Sequence, residues 1–283
     1  MSIVIGIDVG GSTTKIVGFR KTKSKYELIE PQFVKANDPV TATYGAFGKF
    51  TDEIRLAIKD IDRVMMTGVG ASYVKHDMYG LDCRRVPEFT SIGKGALYLS
   101  GLDNILAVSM GTGTALVHAN SGGDMNYLGG TGVGGGTLVG LSKLLLHAES
   151  IDHIVEYAEQ GDLSNIDLRI KDMTAKDTLS ELSADLTAAN FGNVSDVATR
   201  EDIALGILNM VYETGGMVSV FAAHQCGVDN VILTGNLTRL GFCAQKFAFF
   251  NHLNYGVKFI IPKNAEFSTV IGTALSGLAV APK

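Results

Sequence analysis

Residues 3 to 18 read IVIGIDVGGSTTKIVG. Two β-branched runs flank a turn of glycines and hydroxyl residues, with Asp8 near the end of the first run and Lys15 leading into the second. Two such runs joined by a Gly-containing turn read as a hairpin. A hairpin needs neither an acid at the end of its first strand nor five polar or glycine residues in its turn, whereas a phosphate site needs both. Gly10 and Gly11 let the main chain approach a ligand closely, and successive N–H groups can form an anion-binding nest. Asp8 is suited to hold Mg²⁺, directly or through water, and Lys15 supplies a point positive charge. The stretch alone is also compatible with a plain glycine turn in a sheet, so the remainder of the chain decides.

The same outline returns further on. Residues 25–35 complete an antiparallel meander with 3–9 and 14–20, and an apolar pattern at helical spacing runs from 39 to about Asp60. A strand at 63–70, a short strand from Asp82 to Val86 and a helix opened by Pro87 and Glu88 follow. Residues 104–120 again read strand, glycine turn, strand, with a short third strand at 125–128 and a glycine-dense turn, 129–136, feeding a helix to 147. Helices at 151–160 and 199–226, a strand at 228–237, a helix at 238–250, a strand at 256–261 and a helix at 266–280 finish the chain. Strand–helix–strand order implies parallel pairing through a crossover. Two meanders, each followed by such units, predict a duplicated α/β fold, with ligands at the carboxyl ends of strands in the crevice between the halves. The turns at 10–15, 111–114, 129–136 and the TGN at 234–236 all lie where strands end.

Composition narrows the function classes. The 283 residues carry 46% hydrophobic and 19% charged side chains, which is a globular balance. A net charge of −5 without a Lys/Arg cluster argues against a nucleic-acid partner. Glycine is abundant at 34 residues and proline scarce at 5, and the glycines concentrate in a few turns, as in binding sites built from backbone. Cys83, Cys226 and Cys243 are scattered and odd in number, with no paired spacing for zinc or a disulfide framework. The six histidines show no ligand spacing either. With no signal-like leader and no apolar run of the roughly 18–20 residues that cross a bilayer, a soluble cytoplasmic protein is the expectation.

Three glycine and hydroxyl turns after strands can converge on one polyphosphate, and the third leads into a helix whose N-terminus favours anions. The GxxxxGK[ST] pattern of P-loop enzymes is absent. Gly130, Gly132 and Gly135 satisfy GxGxxG, but a meander precedes them in place of a parallel βαβ frame, which argues against a dinucleotide site.

DVGGSTTK (8–15) and MGTGT (110–114) resemble the two phosphate motifs of the superfamily of acetate and sugar kinases, heat-shock chaperone ATPases and actin. Within it the chain resembles the type II pantothenate kinases, through PEF (87–89), GGTGVGGGT (129–137), DLTAANFGN (185–193) and FSTVIGTALSGL (267–278) as well. The resemblance implies duplicated actin-like ATPase domains (ribonuclease H-like), 1–102 and 103–283, with the nucleotide cleft between them. It implies transfer of the ATP γ-phosphate to pantothenate, giving 4′-phosphopantothenate, the first step of coenzyme A biosynthesis. By position, Glu88 becomes the general base, Asp8 the Mg²⁺ ligand, and Gly10, Gly11, Ser12, Thr13, Thr14, Lys15 and Thr112 the phosphate surround. Gly134, Gly135, Gly136, Thr137, Leu138 and Val139 are expected along the nucleotide, and Asn236 at its adenosine end. Thr187 and Ala188 are expected in the acceptor pocket of a second subunit, which makes the protein a homodimer.

Two positions depart from the family pattern. Tyr127 stands where relatives usually carry an Arg beside the transferring phosphoryl group, and Ala115 where they commonly have a Ser. Both are expected on the acceptor side with Glu88 and Thr112, and Arg84 and Arg85 are the candidate replacements for the missing charge. The departures keep a second reading open, a kinase of the same fold for another small hydroxyl compound, sugar or pantetheine-like. A third, a nucleotide-dependent activator ATPase, calls for cysteines that bridge a dimer through an iron–sulfur cluster, and the three present do not offer that spacing.

Overall fold

The computed structural model describes residues 2–11, 13–22, 25–35, 38–74, 76–174 and 183–278. Strands β1 (Ile3–Val9), β2 (Thr14–Lys21) and β3 (Tyr26–Val34) form the first meander, and β4 (Ile61–Thr67) and β5 (Cys83–Arg85) add in parallel on the other side of β1. The sheet order is β3-β2-β1-β4-β5. The second sheet repeats it: β6 (Asn104–Met110), β7 (Thr114–Asn120) and β8 (Met125–Thr131) form a meander, and β11 (Asn230–Thr234) and β12 (Lys258–Ile260) extend β6 in parallel. Its order is β12-β11-β6-β7-β8, the first order read from the opposite edge. The duplication expected from the element pattern is therefore present in strand topology. A small antiparallel pair, β9 (Leu168–Arg169) and β10 (Thr187–Ala189), stands apart.

Helix α1 (Pro39–Glu53) makes the crossover from β3 to β4. Asp38 caps it by accepting from the Thr41 amide at 2.7 Å, and Pro39 opens the first turn, where its missing N–H costs nothing. The helix stops seven residues short of the expected Asp60. Arg55 takes a left-handed φ of 52°, and a 3-10 turn at Ile58–Asp60 aims the chain so that Ile61 can pair with Ile3. Strand β8 is longer than expected, because Gly129 and Gly130 still belong to it; a Cβ at Gly130 would overlap the Thr114 carbonyl of β7.

Two helices lie between the sheets. Helix α2 (Glu88–Ser100) buries Ile92 and Ala96 against Ile105, Ala107 and Val117 of the second sheet. Helix α8 (Ser268–Leu275) buries Val270, Ile271 and Ala274 against Val17 and Phe19 of the first. They cross at Gly95 and Gly272, where a side chain on either would overlap the main chain of Ser268 or Ser91, and Thr273 donates to the Ser91 hydroxyl at 3.0 Å. Each half thus lends a helix to the other, with the cleft above the pair.

On the far face of the second sheet lie α3 (Gly135–Leu146), α4 (Ile151–Ala158), α6 (Arg200–Cys226) and α7 (Gly241–His252), while the short α5 (Ile170–Met173) follows β9. Helix α6 is held at its start by reciprocal bonds between Thr199 and Asp202 and ended by Gly227 at φ 64°. Its 27 residues are long and apolar enough to cross a membrane, but 67% of that apolar window is buried within the fold, where Ala204, Ile207, Leu208, Val211 and Tyr212 form much of the core.

Candidate active site

Asp8 lies at the carboxyl end of β1, directly opposite Lys15 on β2 and beside Thr67 on β4. Strand β4 leaves the sheet there through Gly68 at φ 86°, where a Cβ would come within 2.7 Å of Asp8 Oδ1 and 2.5 Å of the Val9 carbonyl. Only glycine permits that turn beside the carboxylate. Among the described residues no donor is hydrogen-bonded to Asp8. Burial raises its pKa, and Lys15 opposes the shift. Burial lowers the pKa of Lys15 in turn, with Asp8 and then Glu266 acting against it. The Lys15 ammonium donates to the main-chain carbonyl of Glu266 at 2.7 Å.

The first turn is closed by a bond from the Gly10 amide to the Thr13 carbonyl at 3.0 Å. It faces the second turn across the cleft, so that a Cβ on Gly11 would stand 4.0 Å from the Thr112 hydroxyl. The second turn rests on the third: the amides of Gly135 and Gly136 donate to the carbonyls of Gly111 and Thr112, both at 2.8 Å. Side chains at Gly134 or Gly135 would press into that contact, at 2.7 Å from Gly113 Cα and 2.9 Å from the Gly111 carbonyl. Thr137 donates to the Gly132 carbonyl at 2.8 Å and steadies the bend into α3.

Glu88 is the first residue of α2. Two bonds aim the chain toward it, from the Val86 amide to the Met66 carbonyl at 2.8 Å and from the Thr67 hydroxyl to the Val86 carbonyl at 2.9 Å. Its carboxyl opens onto the cleft, and partial burial, then the nearby charge of Asp8, raise its pKa above the ordinary carboxylate value. An acid so placed is a better proton acceptor than a fully solvated one.

The cleft has a volume of about 640 Å³ and is lined from both halves. Asp8, Gly10, Gly11, Thr13, Lys15, Glu88, Thr112, Ala115, Tyr127 and Asn236 all reach it. A second cavity of about 450 Å³ shares Thr13, Lys15 and Asn236 with it and is also lined by Val139, Phe33 and Arg239. There the Arg239 guanidinium lies 5.1 Å over the Phe33 ring, across the two halves, and Asn236 donates to the Thr13 hydroxyl at 3.4 Å.

Of the remaining expected residues, those that are described do not line the main cleft. Ser12 lies outside the described residues. Thr14 is buried in β2. Gly134, Gly135, Gly136 and Thr137 stand behind the second turn, and Leu138 is fully buried in the core. Thr187 and Ala188 are on β10, which does not border the cleft of its own chain; the Thr187 hydroxyl accepts from Asn209 at 3.2 Å. Neither arginine lines the main cleft, but Arg85 borders an adjoining cavity of about 240 Å³ together with Glu88, Gly68 and Val69. Arg84 pairs with Asp82 at 2.8 Å, and Arg85 donates to the carbonyls of Ala71 at 3.0 Å and Val74 at 3.2 Å.

Gly68, Val69, Ser109 and Thr269 line the cleft without having been singled out from the sequence. The signal for the first two was available, since residues 63–70 read as a strand running into a glycine turn, and a strand parallel to β1 ends beside Asp8. Nothing local marks Ser109 or Thr269.

The sequence matches the Fumble family over residues 4–261. It is 29% identical to the type II pantothenate kinase of Oceanobacillus iheyensis, over 96% of this chain and 98% of that one. It is 25% identical to the type II pantothenate kinase of Staphylococcus aureus strain MRSA252, over 96% and 99%. Among solved structures, component A of the (R)-2-hydroxyglutaryl-CoA dehydratase of Acidaminococcus fermentans aligns with a TM-score of 0.68 at 16% identity, covering 98% of this chain and 97% of that one. The activator of the 2-hydroxyisocaproyl-CoA dehydratase of Clostridium difficile, with bound ADPNP, aligns at 0.66 and 16% identity, covering 97% and 93%. These likenesses establish the actin-like ATPase fold. The chain belongs to the Fumble family, that of the type II pantothenate kinases.

Proposed function

We propose that this protein transfers the γ-phosphate of ATP to the primary hydroxyl of pantothenate, giving ADP and 4′-phosphopantothenate, the first step of coenzyme A biosynthesis. One observation carries the reading: Asp8, Lys15 and Glu88 border a single cleft between two glycine turns, in a chain alike over nearly its whole length to type II pantothenate kinases. Glu88 takes the proton of the attacking hydroxyl. The hydroxyl oxygen bonds to the γ-phosphorus as the bond to the β–γ bridging oxygen breaks, and ADP leaves. Lys15 and the amides of the turns at 10–13 and 111–113 surround the phosphates, with Thr112 beside them, and Asn236 stands toward the adenosine end.

Asp8 suits a magnesium ion: its carboxylate borders the cleft and has no hydrogen-bond donor among the described residues. Mg²⁺ bound there with ATP supplies neutralising charge to the phosphates. Thr187 and Ala188, remote from their own cleft, serve the acceptor pocket of a second copy, and the working unit is a cytoplasmic homodimer without nucleic-acid or membrane partners.

Tyr127 and Ala115 on the cleft wall favour one competing reading, a different small hydroxyl acceptor. A panel of pantothenate, pantetheine and hexoses with MgATP separates the two. The expected result is a kcat/KM for pantothenate at least about tenfold above the others, a discrimination of the size a few substrate contacts supply. Equal or better turnover of another acceptor overturns the assignment to pantothenate.

A further inference from the structure

The rings of Phe89 and Tyr127 lie parallel, with centroids 3.8 Å apart and planes 9° from each other. Phe89 follows Glu88 in the first turn of α2, whereas Tyr127 comes from β8, the edge strand of the second sheet. That first turn has no side-chain cap, because Pro87 occupies the capping position. The pairing of β7 with β8 shifts register beside Tyr127: Val117 opposes Tyr127 while Leu116 opposes Gly129. Such an irregularity re-aims side chains, here the ring onto Phe89. The Tyr127 hydroxyl has no hydrogen bond among the described residues, so within the protein the ring makes this contact without help from the oxygen.

We propose that Phe89 and Tyr127 are a positioning pair, whose stack holds the first turn of α2 and so fixes the Glu88 carboxyl against the acceptor hydroxyl. In this reading a ring from the second sheet places the base. The inference rests on the reading of Glu88 as that base. A small displacement of a reacting group lowers rate steeply, so the effect belongs in kcat, with ATP binding left nearly intact.

The test compares Tyr127→Ala, Phe89→Ala, the double variant and Tyr127→Phe, with pantothenate and MgATP. Each alanine variant is expected to lower kcat roughly tenfold to a hundredfold, with KM for ATP within about twofold. The double variant should be no worse than either single one, as for two residues acting through one contact. Tyr127→Phe keeps the ring and should restore kcat. Multiplying losses in the double variant, a loss that falls on KM for ATP instead of kcat, or Tyr127→Phe failing as badly as Tyr127→Ala would each overturn the proposal, the last because it points to the hydroxyl. Thermal melting of each variant separates these outcomes from loss of fold. Full activity in Glu88→Gln would instead strike at the base itself, while coupling between the two rings in melting temperature would still report the stack.

Discussion

Lys15 and Glu266 are 251 residues apart, and the ammonium of one donates to the main-chain carbonyl of the other at 2.7 Å. The bond ties β2 of the first sheet to the turn that leads into α8, beside the second cavity. A buried ammonium is costly to maintain, and the carbonyl with the charge of Asp8 offsets part of that cost. Replacing it with Met keeps the apolar stem and removes the charge. Lys15→Met is expected to lower kcat/KM for ATP by about 10²-fold or more, the scale seen when one stabilising donor is removed. Its melting temperature should stay near that of the parent, because the lost bond, worth about 1 kcal/mol, is set against relief of burial. Steady-state kinetics beside a thermal melt check both parts.

Asp8 makes no hydrogen bond among the described residues and faces the same cleft as Lys15. If its role is to hold Mg²⁺, Asp8→Asn should demand far more magnesium for half-maximal rate while ATP still binds. Chelation of magnesium should stop the parent enzyme. A magnesium titration of the variant that overlays the parent would remove Asp8 from the metal site.

Glu88 accepts a proton only when its carboxyl is ionised. Burial and the charge of Asp8 hold its pKa above the ordinary value of 4.5, so activity should rise with pH through a limb lying above that value and level off beyond it. A pH–kcat/KM profile on the free enzyme reads this pKa directly. A limb at or below 4.5 would mean that partial burial and the charge of Asp8 do not perturb Glu88 as described.

The α2–α8 crossing leaves no room at Gly272, where a Cβ would overlap the Ser91 carbonyl. Main chain cannot swing aside as a side chain can. Gly272→Ala should therefore destabilise the protein by about 1–3 kcal/mol or more, read from the denaturant midpoint, despite the better helix propensity of alanine. Gly140, also helical but with open space around it, is the control, and its alanine variant should be neutral or slightly stabilising.

Much of this architecture was legible in the amino-acid sequence because its signals are local. Asp8, the glycine turns and Glu88 sit at strand ends or helix starts that periodicity marks, and strand topology then gathers them. Two kinds of feature escaped. The extent of α1 did, because apolar spacing continues past Glu53 and only the pairing of Ile61 with Ile3 shows where the helix must stop. Long-range polar packing did as well: Asn209 donates to Asp167 at 2.7 Å across 42 positions, and Lys246 binds Glu213 at 2.6 Å across 33, fastening the segment around Thr187 to α6 and α7. No local pattern encodes such partners. The third glycine turn shows a further limit. Its composition is that of a phosphate nest, yet two of its amides are taken by Gly111 and Thr112, and only three-dimensional packing reveals a loop that supports another loop.

The central claim is that one cleft brings Asp8, Lys15 and Glu88 to bear on a single phosphoryl transfer to pantothenate. The most direct measurement is the rate of 4′-phosphopantothenate formation from MgATP and pantothenate by the purified protein and by Glu88→Gln, with the product identified by mass. The account predicts product from the parent and a loss of about 10²–10⁴-fold in the variant, the range for a general base, with unchanged ATP affinity. Absence of product from the folded parent, or parent-like turnover by Glu88→Gln, would contradict it.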